Sequence, residues 1–169
     1  MPTERKGNPL RLIVFSFLLL AAQLSWAMDK ADKVLVIKSQ CSLFLLRDGK
    51  TLKAFHVALG ANPEGHKQRQ GDGRTPEGSY ILDFKNAHSA FYKSIRISYP
   101  NAADRALARR RGVDPGGWIM IHGQRNGLGH LARFTQRTHW TNGCIAVTDR
   151  EMDIIWQAVD VGTPIEIRP

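Results

Sequence analysis

The stretch "KVLVIKSQCSLFLLRDGKTLKAFHVALG", residues 33–60, limits what this chain can fold into more than any other. Residues 34–37 are rich in β-branched side chains, which pack well on a pleated surface. Asp48-Gly49 then separates the apolar run 43–46 from the run 52–59, the two-residue signal of a hairpin. Phe55, Val57 and Leu59 alternate with polar or small neighbours, so one face of the third strand is half-buried. The first third of the folded chain therefore reads strand, strand, strand.

Residues 60–78, "GANPEGHKQRQGDGRTPEG", are rich in glycine and almost free of apolar side chains. They read as a long surface loop, and long loops in compact domains are more often functional than idle. Residues 80–84 and 92–99 resume the strand pattern, with Ile95, Ile97 and Tyr99 on one face. Asn101, with Asp104 three places on, starts a helix that Gly112 ends. Residues 117–121 form a further strand that delivers His122, and Cys144, Ile145 and Val147 form a short one. Thr148 and Glu151 make a capping box, Met152, Ile155, Trp156 and Val159 keep helical spacing, Gly162 stops that helix, and "TPIEIR" closes as a strand. The sum is one mainly β domain with two short helices.

Residues 1–27 stand apart. A basic start (Arg5, Lys6, Arg11), an apolar run over 12–22 and the small-residue pattern Ser25-Trp26-Ala27 have the layout of a secretory signal peptide. The run is 11 residues long, short of the ~20 that a spanning helix needs. The expectation is cleavage after Ala27, leaving residues 28–169 in the periplasm or cell envelope, with membrane contact only through an uncleaved leader. Without it the chain keeps 24 − 3 = 21 Lys/Arg and 15 − 1 = 14 Asp/Glu, a net +7. An exported basic surface meets anionic wall glycopeptide or acidic lipid headgroups rather than nucleic acid.

Two cysteines remain, Cys41 and Cys144, and an even count in an oxidising compartment makes a disulfide the default. A nucleophilic role competes with it. A cysteine attacks acyl carbons as thiolate and needs a base. His122 ends an apolar strand and is followed by Gly123, whose carbonyl can orient the ring; His139, five places before Cys144 in a polar loop, ranks second. Gly143 lets substrate approach and lets the amides of Asn142, Gly143 and Cys144 converge on an oxyanion. A zinc site from His122, His130, His139 and Cys144 matches no common ligand spacing. Cys41 reads as a small apolar residue near a strand edge.

The series "GDGRTPEGSY", "IHG" and "TNGCIAVTD", in that order, resembles the YkuD-type L,D-transpeptidase catalytic domain over nearly all of residues 33–168. The resemblance implies a β-sandwich or barrel and an exported enzyme acting on peptidoglycan stem peptides, without metal or organic cofactor. It implies Cys144 as nucleophile, His122 as base, the Gly123 carbonyl as its orienter, and Asn142, Gly143 and Cys144 as the oxyanion hole. Arg74 and Thr75 in the glycine-rich loop, with Trp140 and Thr141 beside the nucleophile, are expected to line the substrate cleft. The acyl-enzyme would pass to a second stem as a 3-3 cross-link, to another amine, or to water. The alternatives are an L,D-carboxypeptidase on the same site and a wall-binding module with a Cys41–Cys144 disulfide. Three departures from the family pattern are visible: the spacing 144 − 122 = 22 is long, Asn142 stands where histidine is common, and Ala146 where arginine is common, with Arg133 or Arg137 expected to supply that charge.

Overall fold

The computed structural model describes residues 29–169, so the expected leader lies outside the described residues. In chain order they form β1 Lys33–Ile37, β2 Ser42–Arg47, β3 Lys50–His56, β4 Gly78–Asn86, β5 Ser94–Ile97, β6 Met120–His122, β7 Ile145–Ala146 and β8 Pro164–Arg168. The α-helices among these residues are α1 Ala102–Arg111, α2 Ala132–Thr135 and α3 Asp149–Ala158. The strands make one sheet, ordered β3-β2-β1-β8-β4-β5-β6-β7.

Local chemistry explains most of the boundaries. Asp48 and Gly49 take φ of 50° and 73°, the left-handed pair that a two-residue hairpin turn requires. Asn101 Oδ1 accepts from the Ala103 and Asp104 amides at 2.9 and 3.0 Å, while Asp104 accepts from the Asn101 amide, and Gly112 at φ 65° closes α1. Thr148 and Glu151 form the same reciprocal cap on α3. Such caps satisfy amides that a helix start leaves without partners.

The strands β5 and β6 start later than their sequence pattern. Tyr92 and Trp118 adopt φ of 55° and 57°, and a left-handed residue ends an extended run, so β5 begins at Ser94 and β6 at Met120. The helix count also differs from expectation: the long spacer after His122 carries a 3₁₀ turn, Gly129–Leu131, running into the one-turn helix α2.

The sheet curls until its edges meet. Just beyond β3, Ala58 exchanges both backbone hydrogen bonds with Ala146 of β7, at 2.9 and 2.8 Å, and Gly60 bridges Thr141. This pairing covers part of two edges that would otherwise show unpaired amides and carbonyls. A register shift between Leu82 and Phe84 lets β4 pair with β8 in its first half and β5 in its second, which bends the sheet. Inside lie Val34, Val36, Leu43, Leu45, Val57 and Leu59 with Ile95, Ile121 and Ile145, capped by Met152 and Ile155 of α3. Each fully buried Leu or Ile contributes about 1.5–3 kcal/mol.

This frame fixes the place of the chemistry. β6 and β7 run parallel, with Ile121 opposite Ile145 and His122 opposite Ala146. Ile121 and Ile145 point into the core, so by strand alternation Met120, His122 and Cys144 share the opposite face.

Candidate functional site

On that face lies a cleft of about 350 Å³ lined by Phe91, Ser94, Met120, His122, Trp140 and Cys144, among others. His122 is only 4% exposed, and its Nδ1 lies 2.6 Å from the Gly123 carbonyl oxygen. A carbonyl only accepts, so Nδ1 carries the ring proton and Nε2 keeps its lone pair. Gly123 has no room for a side chain: a Cβ would stand 2.6 Å from Asp149 Oδ1 and 2.9 Å from Tyr92 Cβ. Phe91 and Trp140 wall the imidazole, with ring centroids 4.8 and 5.8 Å away. Burial pushes the His122 pKa down, and the Gly123 hydrogen bond opposes that shift without cancelling it.

The long spacer is pinned to this wall. Asp149 Oδ1 accepts from the Gln124 amide at 2.7 Å. Buried Gln124 donates through Nε2 to the Val147 carbonyl and accepts through Oε1 from Thr135 Oγ1, at 2.7 and 2.6 Å. The additional residues therefore form a tethered layer containing α2, and the His122 strand end stays fixed.

Thr141 builds the turn that presents Cys144. Its Oγ1 donates to the Cys144 carbonyl at 2.8 Å and accepts from the Gly143 amide at 3.1 Å. Gly143 sits at φ 115°, and a Cβ there would overlap the Arg74 carbonyl oxygen. Cys144 Sγ lies 3.7 Å from the Trp118 carbonyl oxygen. Burial raises the Cys144 pKa, against the Met120 backbone hydrogen bond and the charge of Lys67. Both shifts favour the uncharged forms, thiol and neutral imidazole, a pair suited to proton transfer during attack rather than a standing ion pair.

Several expected site residues do other work. The Gly143 amide is engaged by Thr141 and is not free for an oxyanion. Thr75 is fully buried and accepts from the Gly60 amide at 3.1 Å, while Arg74 offers its backbone as the floor under Gly143, so both shape the cleft from behind. Arg133 stacks on Phe134 at 4.6 Å on the exposed α2 layer, and Arg137 is exposed just after it; neither lines the cleft. Ala146 is buried in the sheet closure, where a long charged side chain has no space. Trp140 and Thr141 do line the cleft, as does Asn142.

Cys41 and Cys144 are both free thiols, so the disulfide alternative does not hold in this structure. His139 contacts Cys41 and lines a different cleft from Cys144, which counts against it as a rival base and splits the four-residue zinc grouping. Among the described residues no three His, Cys, Asp or Glu side chains gather as metal ligands.

Phe91 and Lys67 had no motif to announce them. Lys67 is a buried cation paired with Asp72 at 2.8 Å, and it lines a polar cleft of about 550 Å³ that shares Trp118 and Asn142 with the Cys144 cleft. Burial works against the Asp72 carboxylate, but Lys67 and the amides of Gln68, Arg74 and Arg69 outweigh it and hold the pKa at about 2. The signal available in sequence was the Asp-Gly pair inside a basic loop, which marks a turn but not what the lysine approaches.

Comparison with known proteins adds to this geometry. The family described as "YkuD: L,D-transpeptidase catalytic domain" matches residues 31–167. YafK of Escherichia coli (strain K12), named as a candidate L,D-transpeptidase, is 37% identical over 110 residues, 64% of this chain and 37% of that protein. The crystal structure of the helical cell shape determining protein Pgp2 from Campylobacter jejuni matches with a TM-score of 0.62 at 26% identity, covering 80% of this chain and 46% of that one. An L,D-transpeptidase from Xylanimonas cellulosilytica shares the fold, with a TM-score of 0.55 at 16% identity over 82% of this chain and 61% of that one. The chain spans less than half the length of YafK and Pgp2.

Proposed function

The chain belongs to the YkuD family of L,D-transpeptidase catalytic domains, and on that premise we propose that it is an exported cysteine acyltransferase acting on peptidoglycan stem peptides. One observation carries the reading: His122 and Cys144 line one cleft, and the Gly123 carbonyl holds the His122 proton on Nδ1, which leaves Nε2 as a base. The basic charge of the chain suits an anionic wall polymer.

The Cys144 sulfur attacks the carbonyl carbon of the third stem residue as its proton passes to His122 Nε2. The amides of Asn142 and Cys144 receive the oxyanion, and the rigid Thr141 turn holds them in place beforehand. When the bond to the terminal D-Ala breaks, its amine takes the proton from His122, leaving a thioester on Cys144. A side-chain amine of a second stem then gives up a proton to Nε2, attacks the thioester and restores the thiol, forming a 3-3 link. Water in place of that amine yields a trimmed stem. Phe91 and Trp140 give the cleft apolar walls that limit water near the reacting sulfur.

The test is to incubate the protein with tetrapeptide-bearing muropeptides and compare wild type with Cys144→Ala by mass. A 3-3 dimer formed only by wild type is the expected result. Loss of D-Ala without dimer assigns hydrolysis instead, and unchanged muropeptides overturn the enzyme reading in favour of wall binding alone.

A further inference from the structure

A second thiol–imidazole pair lies away from that cleft. Cys41 Sγ is 3.8 Å from His139 Nε2, and both line a cleft of about 360 Å³ that shares no residue with the one at Cys144. Cys41 is half-buried at the junction of the 3₁₀ turn Lys38–Gln40 and β2.

The tautomer decides what this pair can do. The Leu59 amide donates to His139 Nδ1 at 3.1 Å, so Nδ1 offers its lone pair and the neutral ring carries its proton on Nε2. Burial, and then the nearby His56, push the His139 pKa down, which keeps the ring neutral. A nitrogen that bears a proton neither ligates a metal nor takes one from a thiol. It donates a hydrogen bond to the sulfur, the contact a sulfur nucleophile uses while negative charge sits on it.

Charge around the cleft selects the reagent. Lys38 Nζ is neutralised by Glu77 at 2.7 Å and also held by the Gly65 and Thr75 carbonyls, whereas exposed Glu64 on the same rim adds a further negative charge. Arg74 reaches Gly65 but does not line the cleft, and among the lining side chains carboxylates outnumber cations, so anionic reagents are disfavoured there and neutral or cationic ones are not.

We propose that Cys41, supported by the His139 N–H, is a modification site that undergoes thiol–disulfide exchange with small neutral or cationic disulfides. The Cys41 thiol loses its proton to water, and its sulfur attacks one sulfur of R–S–S–R. The reagent's S–S bond breaks as the Cys41–S–S–R bond forms, and the departing RS⁻ takes up a proton. No further oxidant is needed, since the small disulfide is itself reduced. The inference goes beyond acyl transfer and does not depend on it.

The experiment uses chain carrying Cys144→Ala, so that one thiol remains, and follows intact mass with cystamine and, separately, with anionic glutathione disulfide. Folded protein is expected to gain one cysteamine unit on Cys41, with glutathione disulfide about 10-fold slower, and urea is expected to erase much of that difference. His139→Phe, checked by circular dichroism, is expected to slow cystamine by about 10-fold. Cys41 that labels only after unfolding overturns the proposal. So do equal rates for the two reagents on folded protein, a comparison that stands even if His139→Phe fails to fold.

Discussion

His122 and His139 each stand in a cleft with a cysteine, yet the backbone gives them opposite proton positions. The Gly123 carbonyl accepts from His122 Nδ1 and leaves Nε2 as a lone pair, whereas the Leu59 amide donates to His139 Nδ1 and leaves Nε2 as a donor. The same two residue types therefore present a proton acceptor in one cleft and a hydrogen-bond donor in the other. A cysteine near a histidine says little about chemistry until the partner of the second ring nitrogen is known. Both rings have their pKa lowered by burial, so charge does not separate them; the tautomer does.

Removing each thiol in turn should separate the two clefts most sharply. Cys144→Ala is expected to abolish muropeptide turnover, and Cys41→Ser to leave it near wild type, by product mass. Next comes the pair of rings. His122→Ala should lower turnover by ~10² or more, the scale of a lost general base, and His139→Ala should cost far less. A crippling His139→Ala with a mild His122→Ala would reverse the assignment.

The glycines around the Cys144 cleft bear on stability. Gly123→Ala and Gly143→Ala force a Cβ against Asp149 and the Arg74 carbonyl, an overpacking that should cost about 1–3 kcal/mol each, read as a drop in thermal midpoint. Gly71→Ala, at φ 76° with open space around it, should cost only about 1 kcal/mol.

The smallest effect is in pH. With the His122 pKa below its ordinary 6.5, the acid limb of turnover should have its midpoint below pH 6.5. The sign for stability follows from linkage: the neutral His122 contributes fully above pH 6.5, and that contribution is lost as pH falls through the folded value. Cys144 has the opposite sign, because its raised pKa contributes stability below the unfolded value that is lost as pH climbs through the folded one. Unfolding curves across pH, with His122→Ala and Cys144→Ala as references, check both.

Features written into short stretches of chain were legible in the sequence. The Asp48-Gly49 turn, the Asn101 and Thr148 caps, and the alternation of Phe55, Val57 and Leu59 all depend on neighbours within a few residues. What was not legible depends on partners far along the chain. Ala58 meeting Ala146, Leu59 fixing the His139 ring and Lys67 reaching the Cys144 field are results of the curl of the sheet. Thr75 and Arg74 belong to a motif with a recognisable pattern, but the pattern does not say that the motif acts through its backbone. Trp118 and Tyr92 broke their strands because a local left-handed backbone is set by the surrounding packing and not by the residue's own preference.

If one thiol of the two carries the acyl group, the acyl-enzyme can be mapped to it. Protein mixed with tetrapeptide muropeptide, quenched in acid and digested for peptide mass should show the acyl adduct on the fragment containing Cys144, with Cys41 unmodified. An adduct on Cys41, or turnover that persists in Cys144→Ala, would contradict the account.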